Sequence, residues 1–330
     1  MMFMIIMILG SLISISAYSW MNIWIGLEMN LLAFIPLINS ENTKQSSEVS
    51  MKYFLVQVSA SMIILFSFLY SMNFSDSINE LNKLSQFIFN SAILLKMGAA
   101  PFHIWYPGVA EGLGWMNFLI LMTWQKIAPM ILIMYNFKMN AFFCSIILIS
   151  MTVSGLKSWN QTSIKKILAL SSINHIGWMM AMMFLNQSLW IFYFTVYIFI
   201  STNLILVLNK YNINNMNDLI MLYNSNKSAK FFFFMNLFSL GGVPPFLGFF
   251  PKWMVLKILM ENNMYFLAFM MIFLTLLSLY IYMRMILQPM IMKVSEKKKF
   301  FKKQSSFFIN MMNWINVLGL LGFTIVFNVS

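Results

Sequence analysis

Apolar runs long enough to cross a lipid bilayer recur from one end of this chain to the other, and that repetition leaves few folds open to it. A helix needs roughly 20 apolar residues to span a ~30 Å hydrocarbon core. Inside that core every backbone polar group must be satisfied by the chain itself, so only helices or a closed barrel can cross. The period-two alternation of barrel strands is absent. Charged residues make up 9% of the chain, against roughly a quarter in a soluble domain. The fold class expected is therefore an all-α polytopic membrane protein.

Hydropathy places about eleven spans, near 2–19, 22–38, 50–71, 84–104, 116–137, 140–158, 166–185, 188–208, 231–259, 264–287 and 307–328. The clearest interruptions, 39–48, 209–230 and 293–306, are too short for a soluble domain. One transmembrane domain over 1–330 is expected, with function inside the membrane or at partner surfaces. The single cysteine, Cys144, excludes an intrachain disulfide and a cysteine-held iron–sulfur cluster. With only His103 and His175, a haem or zinc site within the chain is not expected, and no phosphate-binding loop or HExxH motif occurs. Any redox cofactor belongs to partner subunits.

The 21 basic residues include one arginine, Arg284, and methionine and phenylalanine each number 34. This bias resembles the codon usage of an AT-rich organelle genome. The chain begins directly with an apolar run, with no cleavable signal or transit peptide before it. Loop lysines fall on one side. Loops after even-numbered spans hold Lys157, Lys165, Lys166, Lys210, Lys227, Lys230, Lys293, Lys297, Lys298, Lys299, Lys302 and Lys303, whereas odd ones hold Lys83 and Lys138 against Asp76, Glu80 and Glu261. By the positive-inside rule the even loops and the N-terminus share one compartment, and the C-terminus lies opposite. The lysine run at 293–303 is a topology signal first and an anionic-lipid contact second. No nucleic-acid partner is expected.

Glu28, Lys96, Lys126 and Lys252 lie well within spans, with His175 as a fifth polar candidate. Each charge costs roughly 3 kcal/mol at a helix centre, about 10 kcal/mol for four, so such residues face a wet or paired interior. Glu28 is read either as a carboxylate paired for packing or as a functional one. In "KMGAAPFHIWYP" (96–107) Pro101 deprives the Met97 carbonyl of its helical donor, and Gly98, Ala99 and Ala100 leave room beside Lys96. In "TWQKIAP" Pro129 likewise frees the Gln125 carbonyl beside Lys126. "LGGVPPFLGFFPKW" (240–253) repeats the pattern, with Pro244 and Pro245 upstream of Lys252. Span 231–259 is too long for one straight crossing, so a break is expected there. The echo between the two stretches points to inverted repeats with broken helices near 96–107 and 240–253. His175 stands on a polar stripe with Ser171, Ser172 and Asn174, either as an interhelical hydrogen-bonding group or as a relay. His103, near a span end, reads as a polar anchor of the broken helix.

The motifs "WIGLEMNLLAFIPLI", "LLKMGAAPFHIWYPGVAEGL", "TWQKIAP", "KKILALSSINHIGWM" and "GGVPPFLGFFPKW", in this order along the chain, resemble the chain 2 family of mitochondrially encoded, antiporter-like membrane subunits of NADH:ubiquinone oxidoreductase, respiratory complex I, in an arthropod-like form. The resemblance implies proton translocation across the mitochondrial inner membrane, coupled to NADH oxidation and ubiquinone reduction elsewhere. FMN, iron–sulfur clusters and ubiquinone would sit in partner subunits. Partners would be other membrane-arm subunits and phospholipid such as cardiolipin. The N-terminus would face the matrix and the C-terminus the intermembrane space. Glu28 and Lys96 would form an intramembrane ion pair, Lys126 would be the central relay lysine with His175 near it, and Lys252 would lie toward the output side. Gly108 departs from the pattern, because many relatives carry an acid there; Glu111 is nearby. A stand-alone cation/proton antiporter and a purely structural membrane-arm subunit are the competing readings.

Overall fold

Where hydropathy breaks, glycines, prolines and polar caps end the helices, and the chain outlines itself accordingly. In the computed structural model, residues 2–41, 44–73, 79–135, 141–183, 186–219, 227–291, 311, 313–316 and 319 are described. Among them the secondary structure is helical, apart from an isolated bridge between Ser163 and Asn215. Six helical stretches among the described residues, with Trp115–Tyr135 taken as one, are long and apolar enough to cross a membrane. The lysine run 293–303 and most of the span expected at 307–328 lie outside the described residues. The residues cluster into two compact units, Met1–Met139 and Asn140–Ser330.

The first unit holds α1 (Met2–Ser16), α2 (Trp20–Ile38), α3 (Lys44–Asn73), α4 (Asn79–Met97), α5 (Trp105–Gly112), α6 (Trp115–Met122) and α7 (Trp124–Tyr135). Helix α2 starts at Ser19, whose hydroxyl accepts from the Asn22 amide at 3.3 Å. Two glycines let α1 and α2 touch backbone to backbone: a Cβ on Gly26 would meet Ser14 N at 2.6 Å and Gly10 O at 2.8 Å. Small residues at a crossing are what membrane helices use for close packing. Tyr135 donates to the Ile15 carbonyl at 2.8 Å, and Asn117 to that of Leu37 at 2.8 Å, which tie α7 and α6 to α1 and α2.

Span 84–104 is not one helix. Helix α4 stops at Met97, and a short helix, α5, follows where the sequence suggested only a connection. Gly98 adopts φ +73°, with its amide bonding Leu95 O at 3.2 Å and the Ala99 amide bonding Leu94 O at 3.0 Å. This is a glycine-ended helix cap that satisfies the last carbonyls. The termination lies at Gly98, three residues before Pro101. The break expected near 96–107 is thus present, whereas the one expected at Pro129 is displaced. The helix interrupts at Thr123, and Pro129 lies inside α7. The ring of Pro129 crowds the Gln125 carbonyl in the first turn of α7, and the interruption lies two residues before that. Thr123 accommodates it by donating its hydroxyl to Leu119 O at 2.8 Å.

The second unit holds α8 (Ala141–Ser158), α9 (Ile164–Met183), α10 (Gln187–Tyr211), α11 (Lys227–Gly241), α12 (Phe249–Glu261) and α13 (Tyr265–Ile291). Helix α9 is buried on nearly every side, as expected of a helix at the middle of a bundle. Gly177 allows this on the α8 side, since a Cβ there would be 2.7 Å from Ser150 Oγ. Asn174 donates to Ser278 of α13 at 3.1 Å, and Arg284 donates to the Trp159 carbonyl just past α8. The break expected within 231–259 is present. Helix α11 ends at Gly241, Gly242 takes φ +77°, and α12 restarts at Phe249. The cap repeats that of Gly98: Gly242 N bonds Ser239 O at 3.1 Å and Val243 N bonds Phe238 O at 3.2 Å. Pro244 and Pro245 are exposed within the break.

Candidate functional site

The glycine cap at the end of α4 places Lys96 in that helix's last turn, 7% exposed. Its backbone carbonyl accepts from Gln57 Nε2 at 3.2 Å, and the adjacent Leu95 carbonyl from Trp105 Nε1 at 3.1 Å. Side chains from α3 and α5 thus reach the carbonyls at this helix end, in addition to the Gly98 amide on Leu95. His103 lies in the break, buried, with Nδ1 donating to Pro101 O at 3.1 Å, in keeping with an anchoring role.

A cavity of about 10 Å³ opens beside Lys96, lined by Leu27, Asn30, Leu31, Tyr53, Gln57, Lys96, Gln125 and Pro129. That volume is at the threshold for one water molecule, and the amide and ammonium groups on its wall supply the partners a water needs. Glu28, on α2, is partly buried, and its Oε2 accepts no hydrogen bond among the described residues. The carboxylate acts electrostatically on both Lys96 and Tyr53. It makes no ion pair within 4.0 Å among the described residues. Glu28 and Lys96 therefore form no closed salt bridge within 4.0 Å.

Lys126 is 1% exposed on α7, with its ammonium 5.3 Å from the centre of the Tyr106 ring, within cation–π range. Tyr106 reaches this place because Gly98 has no side chain: a Cβ there would lie 3.0 Å from Tyr106 Cβ. One glycine thus ends the helix bearing Lys96 and admits the ring that faces Lys126. Next to Lys126, Gln125 donates to Asn30 Oδ1 at 3.0 Å and accepts from Tyr53 at 3.4 Å. Sequence reasoning passed over Asn30, Tyr53, Gln57 and Gln125. Their signal was there, as amide and phenol groups inside apolar spans beside Glu28 and Lys126.

In the second unit Lys252 is 6% exposed on α12. Its ammonium donates to Gly241 O at 2.9 Å and Leu240 O at 3.2 Å, the final carbonyls of α11, and lies 5.8 Å from the Trp178 ring centre. A cation at the negative end of a helix dipole is favourably placed. His175 precedes Trp178 by three residues, which puts the two on one face of α9. Its Nδ1 is 3.0 Å from the Tyr193 hydroxyl, and its ring is 5.0 Å from that of Tyr197. Both tyrosines come from α10 and went unnoticed in the sequence. Gly108 lies exposed on α5 with open space beside it, and Glu111 is exposed on the same helix. Among the described residues no group of three or more metal-ligating side chains gathers.

The family profile described as NADH:quinone oxidoreductase/Mrp antiporter, transmembrane, matches residues 17–278. The chain belongs to this antiporter family. NADH-ubiquinone oxidoreductase chain 2 of Anopheles gambiae is 44% identical over 98% of this chain and 97% of its own length. That of Aedes aegypti is 46% identical with the same coverage. A chain in a structure of respiratory complex I from Thermus thermophilus with bound aureothin superposes with a TM-score of 0.85. It is 21% identical, with 97% of this chain and 77% of that one covered, which shows a shared fold. Within the antiporter fold, each unit of this chain carries a helix that ends on a left-handed glycine and a buried lysine beside that end.

Proposed function

We propose that this chain is the proton-translocating chain 2 subunit in the membrane arm of respiratory complex I, in the mitochondrial inner membrane. NADH oxidation and ubiquinone reduction take place in other subunits, which hold FMN and the iron–sulfur clusters. The chain crosses the membrane about eleven times as two inverted repeats within one antiporter-like domain. Its N-terminus and its lysine-rich loops face the matrix and its C-terminus the intermembrane space, with anionic phospholipid against the lysines. The observation that carries the reading is the placement of Lys96, Lys126 and Lys252. Each is at most 7% exposed and each sits beside an interrupted helix. Buried lysines cost too much to serve as inert filler.

Coupling arrives as a conformational or electrostatic change at Glu28 and Lys96. While Glu28 faces Lys96, the ammonium there is partly neutralised. When the two are drawn apart, Lys96 acts as an uncompensated cation on Lys126. Two lysines about 8 Å apart repel by ~2 kcal/mol at an effective dielectric of 20. Moving one proton against ~180 mV requires about 4 kcal/mol. Pair separation together with a second lysine is therefore of the needed order, and one step alone is not. Lys252, held on the carbonyls of α11, passes the proton toward the output side, with His175 on the route.

Replacing Lys126 by Met in the reconstituted complex tests this. The complex assembles, and protons pumped per electron fall. A wild-type ratio and rate would instead favour a structural subunit that links its neighbours without moving protons.

A further inference from the structure

The three buried lysines share one carboxylate. Glu28 is the acid within the expected spans, and it acts electrostatically on Lys96 and Tyr53. Lys252 is held by the carbonyls of Leu240 and Gly241. Lys126, 1% exposed, faces the ring of Tyr106, itself 1% exposed, at 5.3 Å from the ring centre. The negative face of an aromatic ring attracts a cation most strongly where water is excluded.

A ring beside a lysine stem often does no more than pack. This ring, however, is held in place from several sides. Gly98 admits it, since a Cβ there would lie 3.0 Å from both Cβ and Cδ2 of Tyr106. The Tyr106 amide bonds His103 O, in the break, at 3.0 Å. The ring of Trp105 meets that of Tyr106 edge to face, with centres 5.4 Å apart and planes at 79°, an arrangement that aromatic pairs prefer. Trp105 is anchored in turn. Its Nε1 donates to the Leu95 carbonyl at 3.1 Å, one residue before Lys96. Its ring stands 5.9 Å from that of Tyr53, on which Glu28 acts. A continuous set of contacts thus runs from the end of the helix bearing Lys96, through Trp105 and Tyr106, to the Lys126 ammonium.

We propose that Tyr106 is a positioning residue for Lys126, its ring serving as a counter-group for the ammonium and its place set by Trp105. In this structure the ring face supports the charged lysine. A displacement of the end of α4 carries Trp105 with it and turns Tyr106 off the ammonium. Lys126 is then a buried cation that has lost that support, and such a charge is costly. This inference rests on Lys126 being the relay lysine.

The test uses the intact complex in vesicles with Tyr106→Phe, Tyr106→Leu, Lys126→Met, and the double variant of the last two. It reads protons pumped per electron, the pumping rate at saturating NADH, and the midpoint of thermal inactivation. Tyr106→Leu is apolar but has no ring face, and is expected to lower the pumping rate roughly tenfold. Tyr106→Phe keeps the face and is expected to retain most of the pumping that Tyr106→Leu loses. Tyr106→Leu should also lower the midpoint, and by less in the Lys126→Met background, where no cation is left without its ring. A wild-type rate in Tyr106→Leu overturns the proposal. Equal losses in Tyr106→Phe and Tyr106→Leu, or equal midpoint shifts in the two backgrounds, show that the ring only packs and overturn it too. Should Tyr106→Leu fail to assemble, Tyr106→Met, which refills the space with a flexible chain, takes its place under the same criteria. If Lys126→Met pumps normally, the relay reading fails. The midpoints then decide the contact by themselves: unequal shifts uphold it and equal shifts overturn it.

Discussion

Gln125 of α7 donates through Nε2 to Oδ1 of Asn30 on α2 at 3.0 Å, which joins the helix of Lys126 to the helix of Glu28. Tyr53 donates to the other end of the same amide at 3.4 Å. The amide of Gln125 is thus fixed from both sides, on the wall of the cavity that Lys96 shares. In the proposed mechanism this contact carries movement at the Glu28–Lys96 pair to Lys126.

Substituting Gln125 by Leu is expected to slow coupled proton transfer while leaving the complex assembled. It strands the Asn30 amide, at a cost of about 1–3 kcal/mol. The double variant with Asn30→Leu removes both ends and should lose less than the sum of the single losses. Pumping ratios of the two singles and the double, in reconstituted vesicles, make the check. Strict additivity would show that the two amides act independently.

The charge pair is open to the same approach. Glu28→Gln and Lys96→Met are each expected to impair assembly and pumping more than the double variant does per residue, because a lone buried charge is the least favourable state. The pair is not closed within 4.0 Å, so the coupling is expected to be weaker than that of a direct buried salt bridge. A coupling of zero in the cycle would mean that Glu28 does not act on Lys96.

Tyr193→Phe removes the hydroxyl that lies 3.0 Å from His175 Nδ1 and keeps the ring. Loss of one such hydrogen bond costs about 1 kcal/mol of stability, which the complex should tolerate. If the imidazole must be held in one orientation to pass a proton, the pumping rate falls and the solvent deuterium isotope effect rises. An unchanged rate and isotope effect would leave Tyr193 as a packing residue.

The six long apolar helices and the 231–259 break were legible because hydropathy, glycine and proline are local signals. The short helix α5 was not, since Pro107, Gly108 and Glu111 interrupt its apolar pattern within eight residues. The interruption expected at Pro129 lies six residues earlier, at Thr123, with the proline accommodated inside α7. Lys96, Lys126 and Lys252 stood out as charges in apolar runs. Their companions did not. Asn30 and Gln125 are 95 positions apart, and no local pattern announces that two such amides meet.

Orientation gives a prediction independent of side-chain geometry. The 209–230 loop and the 293–303 lysine run are expected on the matrix side, since loop lysines concentrate there. Protease added to mitoplasts, which expose only the outer face, should leave both intact. Cleavage at either would reverse the assignment.

Gly242 ends α11 with φ +77° and faces the side chain of Lys252. A Cβ on it would stand 2.7 Å from Lys252 Cδ and 3.0 Å from Nζ. Alanine there carries two penalties: about 1–2 kcal/mol for a left-handed backbone and displacement of the lysine from the Leu240 and Gly241 carbonyls. Asn212→Ala is the matched control, since Asn212 also ends a helix, α10, with a left-handed φ of +49° and its side chain is exposed. Both variants should destabilise the complex by similar amounts in thermal inactivation. Gly242→Ala should in addition depress proton output more than that shared loss accounts for, because it alone moves Lys252. Equal pumping ratios in the two variants at matched assembly would show that the contact of Lys252 with the end of α11 has no part in proton transfer.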